Sequence, residues 1–581
     1  MKRVITTLCI IAFTASIVSA DRNCYRYRDN RQPERIEQYS GVNVTPPPRA
    51  DELFSPAEFS RAHGIFLGWN EYEKVVLKDI ALEIAKQDTV YVVHMKGQDS
   101  TCRSYFAENN VNMDNVKFID ADTNEVSVWI RDYGSFYVYE DGKQAAVQYD
   151  YKNYPTNPIP GLLADVWGFT YYHASLRFSG GNFMCDGNGM GFYADVLLEE
   201  NLLLGQEDSV ARNFKQYLGC DSVVCLKSMR RDGTGHIDMF CKLLNDTLIL
   251  VGEYEKASDA YGQNKMILDQ NAKKLSKLKN LDGRPFNVVR IPMPPIYYIG
   301  SNPVTASYTN SLIVNNKVLV PVYGDSLAKL DTIALNLYKE LMPDYEIIGI
   351  YSSEIIKSNG AVHCVTNTHF HENPLMIFHS YFDTAVANEA PVIDFRLNPR
   401  FKTMAASVFY KAASENEFTE VEAELENGIF SATLPVMGED FEYYFKGGAT
   451  WGGEEITVTL PEDAPTTTFS AVVIPTGINS SLAAKRGITF SQYPNPFKGK
   501  TTLTYTVNKN STVSLVIYNV HGRKVCTLAD GFHTEGFYSA VWTGTDTKGK
   551  QLSSGIYYSV LRVNGGSQNS ITRKNKLYIV R

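Results

Sequence analysis

A unit of two strands, a helix and one further strand recurs along this chain and limits what it can fold into. The clearest copy runs Ser311 to Val314, turns at Asn315-Asn316, continues Lys317 to Val322 and closes with Glu346 to Ile350. Between the last two strands Leu327, Leu330, Ala334, Leu337 and Leu341 recur at three- and four-residue steps, the period of an amphipathic helix. Asp325-Ser326 offers it an N-cap and Pro343 stops it. A second copy has strands 239–244 and 247–251, a helix over 257–281 and a strand 286–291; weaker copies lie near 133–147 and 195–226. Ile65 to Trp69, Glu71 to Ala85 and Val90 to His94 add a strand, a helix and a strand. Similar α/β modules in series predict a pseudo-symmetric ring or a repeat array. They do not fit the βαβ alternation of a doubly wound sheet.

The 581 residues are too many for one core, so further domains must follow the repeats. A formal net charge of -8 gives no basic face for nucleic acid, which is excluded as a partner. Met1-Lys2-Arg3, the apolar run Val4 to Val18 and the small residues Val18-Ser19-Ala20 predict a secretory signal peptide over 1–20. Residues 21–60, with Pro46-Pro47-Pro48, read as a leader or surface arm. The repeats then span 61–374. Export permits disulfides, yet Cys24, Cys102, Cys185, Cys220, Cys225, Cys241, Cys364 and Cys526 are scattered and show no framework.

From about 375 to 472 the pattern changes to short alternating strands, which fit an immunoglobulin-like β-sandwich. A small-residue linker occupies 473–488 and a last β-rich module 489–581. Within that module Tyr493-Pro-Asn-Pro-Phe497, Val513 to Asn519 with Gly522-Arg-Lys524, Leu552-Ser-Ser-Gly-Ile-Tyr557 and Lys576 to Arg581 resemble the C-terminal sorting domain of the type IX secretion system. That resemblance implies the type IX machinery as a partner. It also implies a product released from, or held at, the outer surface of a Bacteroidota-type Gram-negative bacterium.

Chemistry concentrates at matching places in the repeat. Trp129-Ile-Arg-Asp-Tyr-Gly134, Gly235-His-Ile-Asp238 and Tyr308-Thr-Asn310 each stand just before a strand, and Cys364 lies in Gly360-Ala-Val-His-Cys. Asp132, His236, Asp238, Asn310 and Cys364 would converge where a ring's loops meet. In His236-Ile-Asp238 an extended backbone would put both polar side chains on one face. Two carboxylates beside a cysteine oppose the thiolate that peptide hydrolysis needs. They suit a guanidinium, whose five donors form a rigid fork and whose charge offsets theirs.

These motifs, with the Gly180-Gly-Asn182 turn, resemble the guanidino-group-modifying enzymes of five-bladed α/β propeller (pentein) fold, and the Porphyromonas-type peptidylarginine deiminases in particular. The resemblance implies an α/β fold: a pentein propeller, then an immunoglobulin-like sandwich, then a sandwich sorting domain. It implies hydrolysis of peptidyl arginine to citrulline and ammonia. Asp132 and Asp238 would grip the guanidinium and Cys364 would attack its central carbon. His236 would move the protons, Asn310 would orient the thiol, and Trp129 and Gly180 would line the cleft. No metal or organic cofactor is implied, and the partners would be arginine-containing peptides or proteins.

One departure bears on substrate. Where the family places two arginines flanking a proline to hold a free C-terminal carboxylate, this chain has Tyr154-Pro155-Thr156. Strict preference for C-terminal arginine is therefore not expected. Lys152 is a nearby cation that can replace the pair only as a point charge. Free arginine, agmatine or another small guanidine is the alternative substrate class. A cysteine protease and a catalytically silent surface binding protein are the other readings.

Other features read as structural. Gly187-Asn-Gly189-Met-Gly191 fits neither dinucleotide nor P-loop spacing and is assigned to tight turns, and Glu199-Glu200 to a solvated turn. His363 reads as a bystander to Cys364. His369 and His371 share one strand face, but no third ligand at a recognisable spacing accompanies them, so no metal is expected.

Overall fold

The structure, a computed structural model, describes residues 44–580 apart from 153–156, 256–261, 380–381, 383, 399, 402–403, 427, 475–489, 494, 496, 508–510, 521–522, 534–535, 548 and 565–569. The signal peptide, most of the leader, all but the first two residues of the linker and Tyr154-Pro155-Thr156 thus lie outside the described residues. Two compact units are present. The first comprises residues up to 381 with 395–405 and 447–458, and the second holds 382–394, 406–446 and 459 onward.

Five sheets of the first unit repeat one plan, an antiparallel strand pair followed by a parallel partner. In the copy read most clearly from sequence, Leu312–Val314 pairs antiparallel with Lys317–Val322, which pairs in parallel with Glu346–Tyr351 across the helix Ala328–Leu341. Cys241–Leu243, Leu248–Glu253 and Asn287–Pro292 repeat it around the helix Gln263–Leu275. Phe136–Glu140, Lys143–Asp150 and Thr170–Arg177 form a third copy, and Met184–Cys185, Met190–Ala194 and Ser222–Leu226 a fourth. In the fifth, Thr366–Phe370 pairs antiparallel with Ala62–Gly68, whose parallel neighbour is Thr89–Met95. The strand that follows the Cys364 turn thereby joins the sheet that opens the repeats. This is the α/β pentein class that the motifs imply.

Continuous apolar strands such as Lys317–Val322, buried along almost their whole length, and the inner faces of the helices form the core. Asp325-Ser326 do not cap the helix that follows. They form a short 3-10 turn, and the cap position carries no side-chain hydrogen bond. Buried Asp331 instead anchors this helix: its carboxylate accepts from Tyr323 N (3.1 Å) and Gly324 N (2.7 Å), and from Tyr308 Oη at 2.6 Å. That bond fixes Tyr308 two residues ahead of Asn310.

Residues 53–60, read as the end of a leader, belong to the first unit. Leu53–Phe54 pairs with Phe136–Glu140, and Glu58 is bonded inside the unit. The polar, proline-bearing composition hid this, because a two-residue strand and one part-buried carboxylate carry no periodicity. Residues 447–458 also group here, where Trp451 meets Tyr139 edge-on at 5.6 Å between ring centres.

The second unit is all β among its described residues. Ser407 to Tyr410 pairs with Thr419–Glu422, and Phe441 to Tyr443 with Phe469 to Ala471. Farther along, one antiparallel sheet orders the strands 490–493, 501–507 and 536–542, and another 524–533, 511–519, 555–564 and 570–579. Leu503, Leu515, Ile517, Trp542, Leu561 and Leu577 are buried in one cluster there. No helix among the described residues is long and apolar enough to cross a membrane.

Candidate active site

Five short segments build the polar centre, and three are turns of helix rather than strand ends. Ile130–Tyr133 is a single α-turn carrying Asp132, and Gly180–Asn182 is a 3-10 turn. Ile237–Met239 is another 3-10 turn, entered from an extended His236 and carrying Asp238. The extended His236-Ile-Asp238 expected from sequence is therefore a turn, yet its two polar side chains still converge. A Cβ built on Gly181 would lie 2.8 Å from His236 Nδ1, 2.9 Å from Asp132 Oδ1 and 3.1 Å from Asp238 Oδ2. Only a residue without a side chain leaves those three groups facing one space.

Cys364 is held in the turn before Thr366–Phe370. The Asn310 side chain organises it: Oδ1 accepts from Ala361 N (3.2 Å), His363 N (3.1 Å) and Cys364 N (3.4 Å), while Nδ2 donates to Cys364 Sγ at 3.2 Å. Cys364 Sγ lies 3.5 Å from Asp238 Oδ2. Trp129 packs on Gly360, where an added Cβ would stand 2.3 Å from Trp129 Cζ3 and 3.0 Å from Cys364 Cβ. Gly180 is equally confined, because its Cβ would come within 2.0 Å of the Arg131 carbonyl.

Asp132, His236, Asp238, Asn310 and Cys364 are each at most 2% exposed, so these groups interact with little water between them. Gly181 N donates to Asp132 Oδ1 (3.3 Å), and His236 Nδ1 lies 3.4 Å from the same oxygen. Asp132 Oδ2, Asp238 Oδ1 and His236 Nδ1 have no hydrogen-bond partner among the described residues. Burial pushes the Asp132 carboxyl up from its ordinary value, His236 opposes that shift and Asp238 adds to it. Burial also pushes the Cys364 thiol well up, and Asp238 and Asp132 push it further. By itself the centre thus favours a protonated thiol. A cation placed between the carboxylates reverses that balance.

His363 is not a bystander. Its Nδ1 lies 2.8 Å from Asp238 Oδ2 in a fully buried contact, and its Nε2 lies 3.1 Å from the part-buried Glu58 Oε2. Ionised carboxylates only accept hydrogen bonds, whereas a neutral imidazole has one donor. The tautomer of His363 therefore decides which of the two carboxylates it donates to. Glu58 also pairs with buried Lys242 at 2.5 Å. Burial raises the Glu58 carboxyl, but Lys242, His363 and Arg131 together hold it well below its ordinary range. Arg131 itself donates through Nε to the His363 carbonyl at 3.4 Å. Sequence reading missed Glu58, Arg131 and Lys242. Arg131 was visible inside Trp-Ile-Arg-Asp-Tyr-Gly, but nothing local marks Glu58 or Lys242.

Other readings change in smaller ways. Lys152 Nζ is paired with Glu200 Oε1 at 3.3 Å, so the spare cation is engaged and Glu200, at the end of the helix Val196–Glu200, is not a merely solvated turn. Tyr154 and Thr156 lie outside the described residues. The seven described cysteines are all free thiols. His369 and His371 do share a face, and His63 and Glu372 stand beside them.

The family described as Porphyromonas-type peptidyl-arginine deiminase matches residues 54–369, and a FlgD Ig-like domain matches residues 492–567. A candidate agmatine deiminase of Marinomonas sp. is 24% identical over 366 residues, covering 55% of this chain and 95% of that protein. The agmatine deiminase of Pseudomonas aeruginosa is 24% identical over 373 residues, with 56% and 97% covered. A solved candidate arginine deiminase from Porphyromonas gingivalis aligns with a TM-score of 0.49 at 25% identity, covering 55% of this chain and 98% of its own. With more than half of its length matched, the chain belongs to the Porphyromonas-type peptidyl-arginine deiminase family of guanidino-group deiminases, hydrolases that act on C–N bonds.

Proposed function

We propose that the substrate is arginine within peptides or proteins, without strict preference for a C-terminal residue. Asp132 and Asp238 hold the guanidinium, whose charge lets Cys364 act as a thiolate. The thiolate sulfur bonds to the guanidinium carbon, and His236 gives a proton to the departing nitrogen, which leaves as ammonia. His236 then takes a proton from a water that adds to the same carbon. The C–S bond breaks, the thiolate is regenerated, and citrulline leaves. Asn310, bonded to the sulfur, orients it throughout. No step calls on a metal or an organic cofactor.

The observation that favours a peptide is an exposed aromatic hairpin on the segments that lead to Asn310 and His236. Tyr297–Ile299 pairs with Asn302–Val304, six residues ahead of Asn310, and Tyr297, Tyr298 and Ile299 are all exposed. Arg231, in the loop that leads to His236, donates to Tyr298 Oη. A small guanidine has no use for such a rim, whereas a peptide chain can lie along it. The alternative, free arginine or agmatine, is favoured by the relatives named agmatine deiminase.

Mass spectrometry decides between the two, using peptides with internal and with C-terminal arginine beside free arginine and agmatine, and Cys364→Ala as the blank. Citrulline in both peptides is the expected result. Turnover of agmatine alone, or of C-terminal arginine alone, overturns the reading. The proposal extends to address: residues 1–20 direct export and residues 489–581 engage the type IX machinery. Deleting 489–581 should then leave the protein inside the outer membrane.

A further inference from the structure

Outside the catalytic centre, the described residues hold one group of histidine and carboxylate side chains with metal-ligand spacing. It lies where the strand Thr366–Phe370 pairs with Ala62–Gly68. In that antiparallel pair His369 stands opposite Gly64 and Phe370 opposite Ala62, which leaves His63 as the extra residue of a bulge. A bulge re-aims a side chain. Here it brings the His63 ring centre to 4.6 Å from that of His371 and 5.3 Å from that of His369. Glu372 completes the group: its Oε2 is 2.5 Å from His63 Nε2 and 3.8 Å from His371 Nδ1.

We propose that His63, His371 and Glu372 form a binding site for a divalent cation of the zinc type. One ligand atom from each already lies within 4.8 Å of the other two. A tetrahedral ion with bonds of about 2.0–2.1 Å needs its ligands roughly 3.3 Å apart. The required adjustment is small, and His63 and Glu372 have room for it with side chains 39% and 71% exposed. Two imidazoles and one carboxylate leave a fourth position for water. His371 Nδ1 now accepts from Asn373 N at 3.0 Å, and a bound ion takes over that lone pair.

An exposed His–Glu ion pair explains the group less well. Such a pair contributes little, and it needs one imidazole, whereas two stand against each other here and repel if both are protonated. An ion uses both rings in their neutral form. It also joins residue 63 to residues 371–372 across the strand that begins two residues after Cys364. The site therefore fastens the sheet that carries the nucleophile, without touching the reacting atoms.

The test uses the full chain carrying Cys364→Ala, so that the catalytic thiol does not itself capture zinc. Calorimetric titration with zinc chloride should show one saturable site, and zinc should raise Tm. Cobalt chloride should produce the visible absorption of a four-coordinate nitrogen–oxygen site. His63→Ala and His371→Ala should each weaken binding by at least about tenfold and remove the Tm increase. Should either alanine variant lower the metal-free Tm, His63→Gln and His371→Gln keep the size and must still lose zinc. An absence of saturable binding overturns the proposal. So does unchanged stoichiometry and affinity in the variant carrying both His63→Ala and His371→Ala, which would place the zinc elsewhere.

Discussion

Two buried acidic places in the first unit differ in how their carboxylates are served. Asp246, 2% exposed, accepts from Arg284 and from both Nη atoms of Arg396, at 2.5 and 3.3 Å. Burial raises its carboxyl, but Arg396 and Arg284 bring it below its ordinary value. Asp132 and Asp238 are as deeply buried, yet each keeps one oxygen without a hydrogen-bond partner, and Asp132 is held above its ordinary value. The chain's own arginines complete the first place. The second leaves oxygens open, as the proposed grip on a guanidinium requires, and that difference is what the proposal turns on.

Replacing Cys364 with Ala sets the scale. It should reduce citrulline formation by about 10^4-fold or more while leaving the circular dichroism spectrum unchanged. The comparison itself is tested by three asparagine variants. Asp132→Asn and Asp238→Asn should lower kcat/KM by about 10^2- to 10^4-fold. Asp246→Asn should cost about 1–3 kcal/mol of stability in urea unfolding and leave turnover near that of the parent. If Asp246→Asn abolished turnover with the fold intact, the distinction would fail.

A subtler variant fills the shared space. Gly181→Ala places a methyl among His236, Asp132 and Asp238 at a position where the backbone needs no left-handed φ. Steady-state kinetics should show about a 10^2-fold loss in kcat/KM, with a lower Tm from the crowded contacts.

The two places should also titrate in opposite directions. Because Asp132 holds its proton more readily in the folded chain, its contribution to stability falls as pH rises from the ordinary carboxylate range through its raised value. Asp246 contributes above that range, and its contribution is lost as pH falls towards its lowered value. Calorimetry near neutral pH should accordingly find a higher Tm for Asp132→Asn and a lower one for Asp246→Asn. The smallest effect expected is that of His363→Gln. It keeps one hydrogen bond of the Asp238–Glu58 bridge, so kcat should fall about tenfold, with a changed pH–rate profile.

Much of this was legible in the sequence because it rests on period and local chemistry. Strand and helix periods located the repeats, for instance 312–322 with 328–341. Unusual polar density before strands singled out Asp132, His236, Asp238, Asn310 and Cys364. Local period does not carry the rest. The turns bearing Asp132, Gly181 and Asp238 are each too short to show a helical repeat. Glu58 and Lys242, 184 residues apart, meet only once the sheets assemble. His363 looked idle beside Cys364 because its partners, Asp238 and Glu58, come from distant segments. The bulge that turns His63 towards His371 belongs to a pairing between strands about 300 residues apart, which only tertiary structure sets. The sequence by itself determined which chemistry the chain carries. The fold decided which charges are left for a substrate to satisfy, because burial and long-range pairing set each group's surroundings.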